Sequence, residues 1–224
     1  MDSAWTNVSA SNGSSCEVDN NQTIAQIMFT VYYSIVLIIG SCGNILALHL
    51  TFKRGKKVNS TDIYLINLAV SDALFTLTLP GRITYYILNF HWPFGDSLCR
   101  ITAFIFYTNT YVGIYFMTCV SVDRYIAVVH ALRFSKVRKT RYVKYICILV
   151  WCIVVLQTMP LLFRPMTKIN KNTVTCMEYL NVSHLPVLLL LACIFGYGTP
   201  FGIILFCYIR QTKEQWEGNQ TAAP

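Results

Sequence analysis

Charged residues are scarce in this chain of 224 residues. Only 12% of the residues are Asp, Glu, Lys or Arg, whereas 54% are hydrophobic and the mean hydropathy is +0.47. An ordinary soluble domain carries about 25% charged residues, so the composition excludes that class. It indicates an integral membrane protein, and we expect a multi-pass protein of the cell membrane.

Motifs of catalysis, cofactor binding and transport are missing as well. The sequence has no phosphate loop, no His/Glu zinc pattern and no nucleophile elbow. Its two halves show no repeat of the kind found in transporters. A transporter or a membrane enzyme is therefore poorly supported, and we expect no enzymatic activity, no cofactor and no metal centre.

Long apolar stretches dominate what is present. A helix needs about 20 residues to cross the hydrocarbon core of a bilayer. We therefore predict an all-α membrane protein, a bundle of five transmembrane helices between an extracellular tail (1–26) and a polar cytoplasmic tail (210–224). The predicted spans are 27–52, 63–89, 99–129, 146–163 and 185–209.

Basic residues set the orientation of these spans, because short loops rich in Lys and Arg stay cytoplasmic. Four basic residues lie within 53–57 and six within 133–144, which places the N-terminus outside. The net charge of +8 thus reflects topology and contact with membrane lipids, and nucleic acid is not an expected partner. We find no cleavable signal peptide and expect the first span to be an uncleaved anchor.

Sequons and cysteines on the predicted outer side agree with this orientation. Cys99 and Cys176 face the oxidising compartment, which favours a disulfide between them. Cys16 is then left without a partner in this chain, and the six cysteines inside apolar stretches are expected to be small buried hydrophobes. Four sequons are predicted outside as glycosylation sites, at Asn7, Asn12, Asn21 and Asn181.

Short motifs recur in a fixed order along the five spans, and together they resemble the rhodopsin-like (class A) G protein-coupled receptors. Any one motif is weak, but the order and spacing of the whole set are specific. The motifs are Gly43-Asn44, Leu68-Ala69-Val70-Ser71-Asp72, Trp92-Pro93-Phe94-Gly95, Asp123-Arg124-Tyr125, Trp151, Pro160, Pro200 and Tyr208.

Three further stretches resemble the oxysterol receptors of the Epstein-Barr virus-induced type within that family: 79–86, 95–103 and 175–179. This resemblance implies a dihydroxycholesterol-like ligand, signalling through an inhibitory G protein and a role in immune-cell chemotaxis. Two alternatives stay open. One is a related class A receptor for another lipid or a nucleotide, and the other is a non-signalling fragment that associates with full-length receptors.

Arg82 lies inside an apolar stretch, ten positions after Asp72 and about 15 Å further along a helix. A cation at that depth is costly unless it snorkels to the outer headgroups or meets a partner in the bundle. The resemblance to oxysterol receptors favours a guanidinium that donates to a ligand hydroxyl.

Tyr107, Tyr111 and Tyr115 recur every four residues and so share one face of a helix. Such a stripe serves packing more often than ligand binding, although a ring with one hydroxyl suits a steroid. The resemblance assigns ligand contact to Tyr107 and Tyr111, and Phe106 and Glu178 are further candidates.

Asp72 is a second intramembrane charge, and it requires a partner. In the family this carboxylate binds a sodium ion, for which Asn109 is a plausible companion here, whereas Gly113 offers no side chain. The other family ligands come from a seventh span that this sequence lacks. We therefore do not expect a complete sodium site.

Asp123-Arg124-Tyr125 ends the third span. Taken alone, the triplet is an interfacial charge pair that anchors a helix end. The family resemblance implies that Asp123 holds Arg124 in the resting state and that Tyr208 stabilises the active state after a sixth span moves. No apolar run follows Ile209, so we expect a truncated product or an incomplete gene model.

Overall fold

The computed structural model describes residues 12–53, 59–129, 139–170, 173–177 and 194–221, including their side chains except at 12–21, 170, 194–195 and 217–221. Within these ranges the chain is mainly helical, which confirms the predicted fold class of an incomplete seven-helix bundle. The helices are α1 (Asn12–Lys53), α2 (Ser60–Thr76), α3 (Leu79–Ile87), α4 (Gly95–Val129), α5 (Thr140–Thr158) and α6 (Thr199–Thr221).

Four helical units of the described residues are long and apolar enough to cross a membrane: Gln22–Lys53, Ser60–Ile87, Gly95–Val129 and Thr140–Phe163. They correspond to the first four predicted spans. Of the fifth predicted span, residues 185–193 lie outside the described ranges, and the rest forms a π-helical turn (Ile194–Gly198) and the start of α6. Helix α6 continues to Thr221 because Lys, Glu and Gln after Ile209 are good helix formers.

The second predicted span is broken into α2 and α3. Pro80 has no N–H to offer the carbonyl of Thr76, so the regular helical hydrogen-bond ladder cannot continue. Thr78 instead donates both its backbone N–H and its hydroxyl to the Phe75 carbonyl, at 2.9 and 2.7 Å. The resulting turn changes the direction of the residues that follow, including Arg82.

Two hydrophobic clusters hold the helices together. The inner cluster joins α2, α4 and α5 through Ile63, Tyr64, Val112, Phe116, Val143, Cys147, Val150 and Val154. The outer cluster joins α3, α4 and the loop after α5 through Tyr85, Tyr86, Trp92, Cys99, Ala103, Met166 and Cys176. Trp151 adds a polar link between α5 and α2, since its indole N–H donates to Asn67 Oδ1 at 3.0 Å.

A β-hairpin follows α5 and its short 3-10 turn (Met159–Phe163), and the sequence did not predict it. Strands β1 (Thr167–Asn170) and β2 (Thr173–Cys176) are antiparallel, with Thr167 opposite Cys176. The predicted disulfide between Cys99 and Cys176 is present and ties β2 to α4, with a Cα–Cα distance of 5.8 Å.

Candidate functional site

Asp96, at the start of α4, fixes the hairpin over the outer end of the bundle. Its Oδ1 accepts the backbone N–H groups of Met166 and Thr167, at 2.9 and 3.0 Å, and the Thr167 hydroxyl at 2.9 Å. Arg100, one helical turn further along, forms an ion pair with the other oxygen of Asp96. The carboxylate therefore links α4 directly to β1.

Asp96→Ala is expected to loosen the hairpin, because hydrogen bonds to a charged acceptor are stronger than neutral ones and this substitution removes three of them. We expect amide hydrogen exchange at Met166 and Thr167 to become about fivefold faster, a modest factor because the carboxylate is partly exposed. Exchange measured by mass spectrometry checks this, with Glu214→Ala on α6 as a control. Unchanged exchange in Asp96→Ala would contradict the assigned anchor.

Arg82 lies on α3 beneath the hairpin, and its side chain is only 7% exposed. Its guanidinium carbon is 5.8 Å from the centre of the Phe106 ring, a cation–π distance. One terminal nitrogen contacts the Met177 sulfur, and Nε has no hydrogen-bond partner among the described residues. The cation is thus buried inside the bundle rather than extended to the headgroups.

The other predicted ligand-binding residues separate into two groups. Tyr107 lies close enough to Arg82 to interact with it electrostatically, and the adjacent Phe106 ring packs at 5.9 Å from Phe75. Tyr111 lies deeper, where its ring is 5.9 Å from that of Tyr197 and packs against the inner cluster. The structure therefore brings Arg82, Phe106 and Tyr107 together, whereas Glu178 lies outside the described residues.

An open cavity of about 800 Å³ lies between α2, α4 and α6 at the depth of Asp72. Asn109 lines this cavity together with Asp72 and accepts the Ser71 hydroxyl at 2.7 Å on its Oδ1. Because that amide oxygen is engaged and Gly113 contributes no side chain, a cation here would find few free oxygen ligands. The described residues hold no group of three acidic, histidine or cysteine side chains suited to a metal ion.

Asp123 is buried at the other end of the bundle, against the first turn of α2. The Ser60 and Thr61 hydroxyls each donate to one of its carboxylate oxygens, both at 2.7 Å. Asp62 already satisfies the start of α2 by accepting the Asn59 N–H at 3.0 Å, which leaves these two hydroxyls available for α4. The positive end of the α2 dipole also favours the carboxylate.

Arg124 and Tyr208 border the same cavity, of about 330 Å³, between α4 and α6. Both side chains are exposed. Tyr125 lies nearby, with its ring 6.0 Å from that of Phe206 on α6. The structure thus brings Arg124, Tyr125 and Tyr208 together at one end of the α4–α6 interface. The carboxylate of Asp123 is hydrogen-bonded to hydroxyls of α2.

Some predicted sites fall outside the described part of the chain. Asn7 and Asn181 are not described, and Asn12 and Asn21 lie in α1 at positions whose side chains are not described. The same holds for the Cys16 side chain. Conversely, sequence reasoning assigned no site role to Ser60, Thr61 or Met177, although Met177 lies in the stretch 175–179 that carries the family resemblance.

Comparison with known proteins places these features in a family. The model of the rhodopsin family of seven-transmembrane receptors matches residues 43–223. G-protein coupled receptor 183 is 50% identical in two species: over 206 residues in Rattus norvegicus (91% of this chain, 58% of the relative) and over 199 in Homo sapiens (88% and 55%). The uracil nucleotide/cysteinyl leukotriene receptor of Homo sapiens is 36% identical over 187 residues (83% and 50%).

The chain spans less than three fifths of the length of these relatives. The family model nevertheless covers most of the chain, including α2 to α5. Its members are multi-pass receptors of the cell membrane and not enzymes. The chain belongs to the rhodopsin family of seven-transmembrane receptors, the class A G protein-coupled receptors.

Proposed function

We propose that the chain is part of a receptor for an oxysterol, a dihydroxycholesterol-like lipid, and that the receptor signals through an inhibitory G protein in immune-cell chemotaxis. The observation that carries this proposal is Arg82. A buried guanidinium whose Nε has no partner among the described residues, next to Phe106 and Tyr107, suits a ligand with a large apolar frame and a hydroxyl acceptor.

We propose in addition that Asp123, Arg124, Tyr125 and Tyr208 form the G-protein coupling switch. Two hydroxyls of α2 hold Asp123, and Arg124 faces the cavity that Tyr208 also borders. An arginine at the open end of the α4–α6 interface is available to a cytoplasmic partner. This arrangement supports a latch whose resting state is stabilised by α2.

Arg82→Ala is expected to weaken binding of tritiated dihydroxycholesterol to membranes that express the chain. A hydrogen bond to a charged donor is worth about 1.5–3 kcal/mol, which corresponds to roughly a tenfold to hundredfold loss of affinity. Arg164→Ala, which removes an exposed arginine beyond α5, is the matched control and should bind like the wild type. Wild-type affinity in Arg82→Ala would remove Arg82 from the site.

Competition separates the candidate ligands. Unlabelled dihydroxycholesterol should displace the label, whereas cholesterol, which lacks the two added hydroxyls, should not. A buried arginine also suits a phosphate or a carboxylate, and the 36% identity to a nucleotide and leukotriene receptor makes these the second candidates. Saturable binding of a uracil nucleotide or a cysteinyl leukotriene, without sterol binding, would favour them.

Nucleotide exchange on a purified inhibitory Gα subunit tests the signalling half of the proposal. We expect dihydroxycholesterol to accelerate exchange in membranes that contain the receptor. Sterol binding without accelerated exchange, together with co-precipitation of a full-length rhodopsin-family receptor, would instead favour a non-signalling fragment.

A further inference from the structure

Met177 occupies an unusual position immediately after the disulfide-bonded Cys176. Its backbone lies in the left-handed region, at φ 66°, which costs a side chain with a Cβ about 1 kcal/mol or more. The surrounding structure imposes this conformation. The Met177 N–H donates to the Met166 carbonyl at 3.1 Å, and the disulfide fixes the preceding residue to α4.

The effect of this geometry is to bring the Met177 thioether onto Arg82. A terminal nitrogen of the guanidinium contacts the sulfur, and the rest of the Met177 side chain packs against the outer cluster. A thioether is a weak hydrogen-bond acceptor. The described residues thus offer this buried cation only a sulfur and an aromatic face, with no partner for Nε, and satisfy it poorly.

We propose that Met177 is a displaceable cap on the Arg82 guanidinium and sets the specificity of the ligand site. This inference rests on the proposed ligand site at Arg82. A sterol hydroxyl accepts a hydrogen bond better than a thioether does. When it replaces the sulfur on Arg82, the stronger hydrogen bond contributes to the binding free energy of the ligand. A sterol without a hydroxyl at that point must displace the cap without compensation, so it is excluded.

If Met177 competes with the ligand for Arg82, the ligand affinity should fall as the side chain at position 177 becomes a stronger hydrogen-bond acceptor. Met177→Ala removes the competitor, and we expect the affinity for tritiated dihydroxycholesterol to rise about fivefold. Met177→Gln places a strong amide acceptor on Arg82, and the affinity should fall about fivefold. Met159→Ala, at the start of the 3-10 turn after α5, changes an exposed methionine, is the matched control and should leave binding unchanged. Weaker binding by Met177→Ala would overturn the cap and make Met177 an ordinary ligand contact.

A second measurement needs no ligand and separates failure of the cap from failure of the proposed function. Phenylglyoxal reacts with accessible guanidinium groups, and peptide mass spectrometry gives its rate at each arginine. The rate at Arg82 should rise several-fold in Met177→Ala and fall in Met177→Gln, while exposed Arg164 should react equally in all variants and serves to normalise the reagent dose. If no variant binds sterol, the proposed function fails, and the phenylglyoxal rate at Arg82 still tests whether Met177 covers the guanidinium. Equal Arg82 rates in the three proteins would overturn the proposed cap.

Discussion

Replacing Cys99 and Cys176 together by serine is expected to destabilise the outer half of the bundle by about 2–5 kcal/mol. The disulfide closes a loop between residues 77 positions apart, so its loss frees the chain between α4 and β2. Both sulfurs lie in the buried outer cluster, where serine hydroxyls would also have to find hydrogen-bond partners. We therefore expect a clearly lower Tm in detergent and less protein at the cell surface.

The matched control is Cys42→Ser, which changes a free thiol on α1 that is exposed, as is Cys152, so the expected burial was wrong for these two cysteines. It should leave Tm unchanged. The loss of the disulfide should also release Met177 from Arg82, because the constraint on the preceding residue disappears. A double serine variant as stable as Cys42→Ser would show that non-covalent contacts, among them those of Asp96 and Trp92, hold the hairpin without the disulfide.

The membrane spans were predictable because hydrocarbon requires apolar side chains over a whole helix length. Helix α1 shows this requirement, since Ile38 and Ile39 are each about two thirds exposed in the protein and so face lipid. The break before Pro80 was not predicted, because hydropathy is continuous across it and only the missing N–H interrupts the helix.

The hairpin could not be predicted from its own residues. Both strands are short and largely polar, and their pairing depends on distant partners. The backbone N–H of Trp92 donates to the Val174 carbonyl of β2 at 2.7 Å, and the Asp96 carboxylate hydrogen-bonds β1. Such contacts are set by tertiary structure, which local sequence patterns do not encode.

In the candidate site, residues of a type that is rare in its surroundings could be identified from the sequence, and residues of a common type could not. Arg82 was identified because a charge inside an apolar stretch is uncommon and costly. Met177 was missed because methionine commonly fills gaps in hydrophobic clusters. Ser60 and Thr61 were missed because hydroxyls at the start of a helix usually serve as caps, whereas here Asn59 is the N-cap and Asp62 accepts its N–H.

Ser60→Ala combined with Thr61→Val is expected to destabilise the protein by about 3 kcal/mol, since it leaves the buried Asp123 carboxylate without two strong donors. The two substitutions remove little volume, so the effect should come from the lost hydrogen bonds rather than from a cavity. A fall in Tm in detergent checks this. Thr51→Val is the control, because its exposed hydroxyl only donates to the Ala47 carbonyl within α1.

A double-mutant cycle with Asp123→Asn identifies the cause of this loss. If the cost arises from the two lost hydrogen bonds to the charged carboxylate, removing the charge in the background without the Ser60 and Thr61 hydroxyls should recover about 1.5–3 kcal/mol. The same substitution in the wild type should be destabilising, because the amide accepts only one of the two hydroxyls well. Additive effects would show that α2 and Asp123 are not coupled. Coupling would instead support the proposed latch, in which α2 holds the carboxylate and basal nucleotide exchange on an inhibitory Gα subunit rises when those hydroxyls are removed.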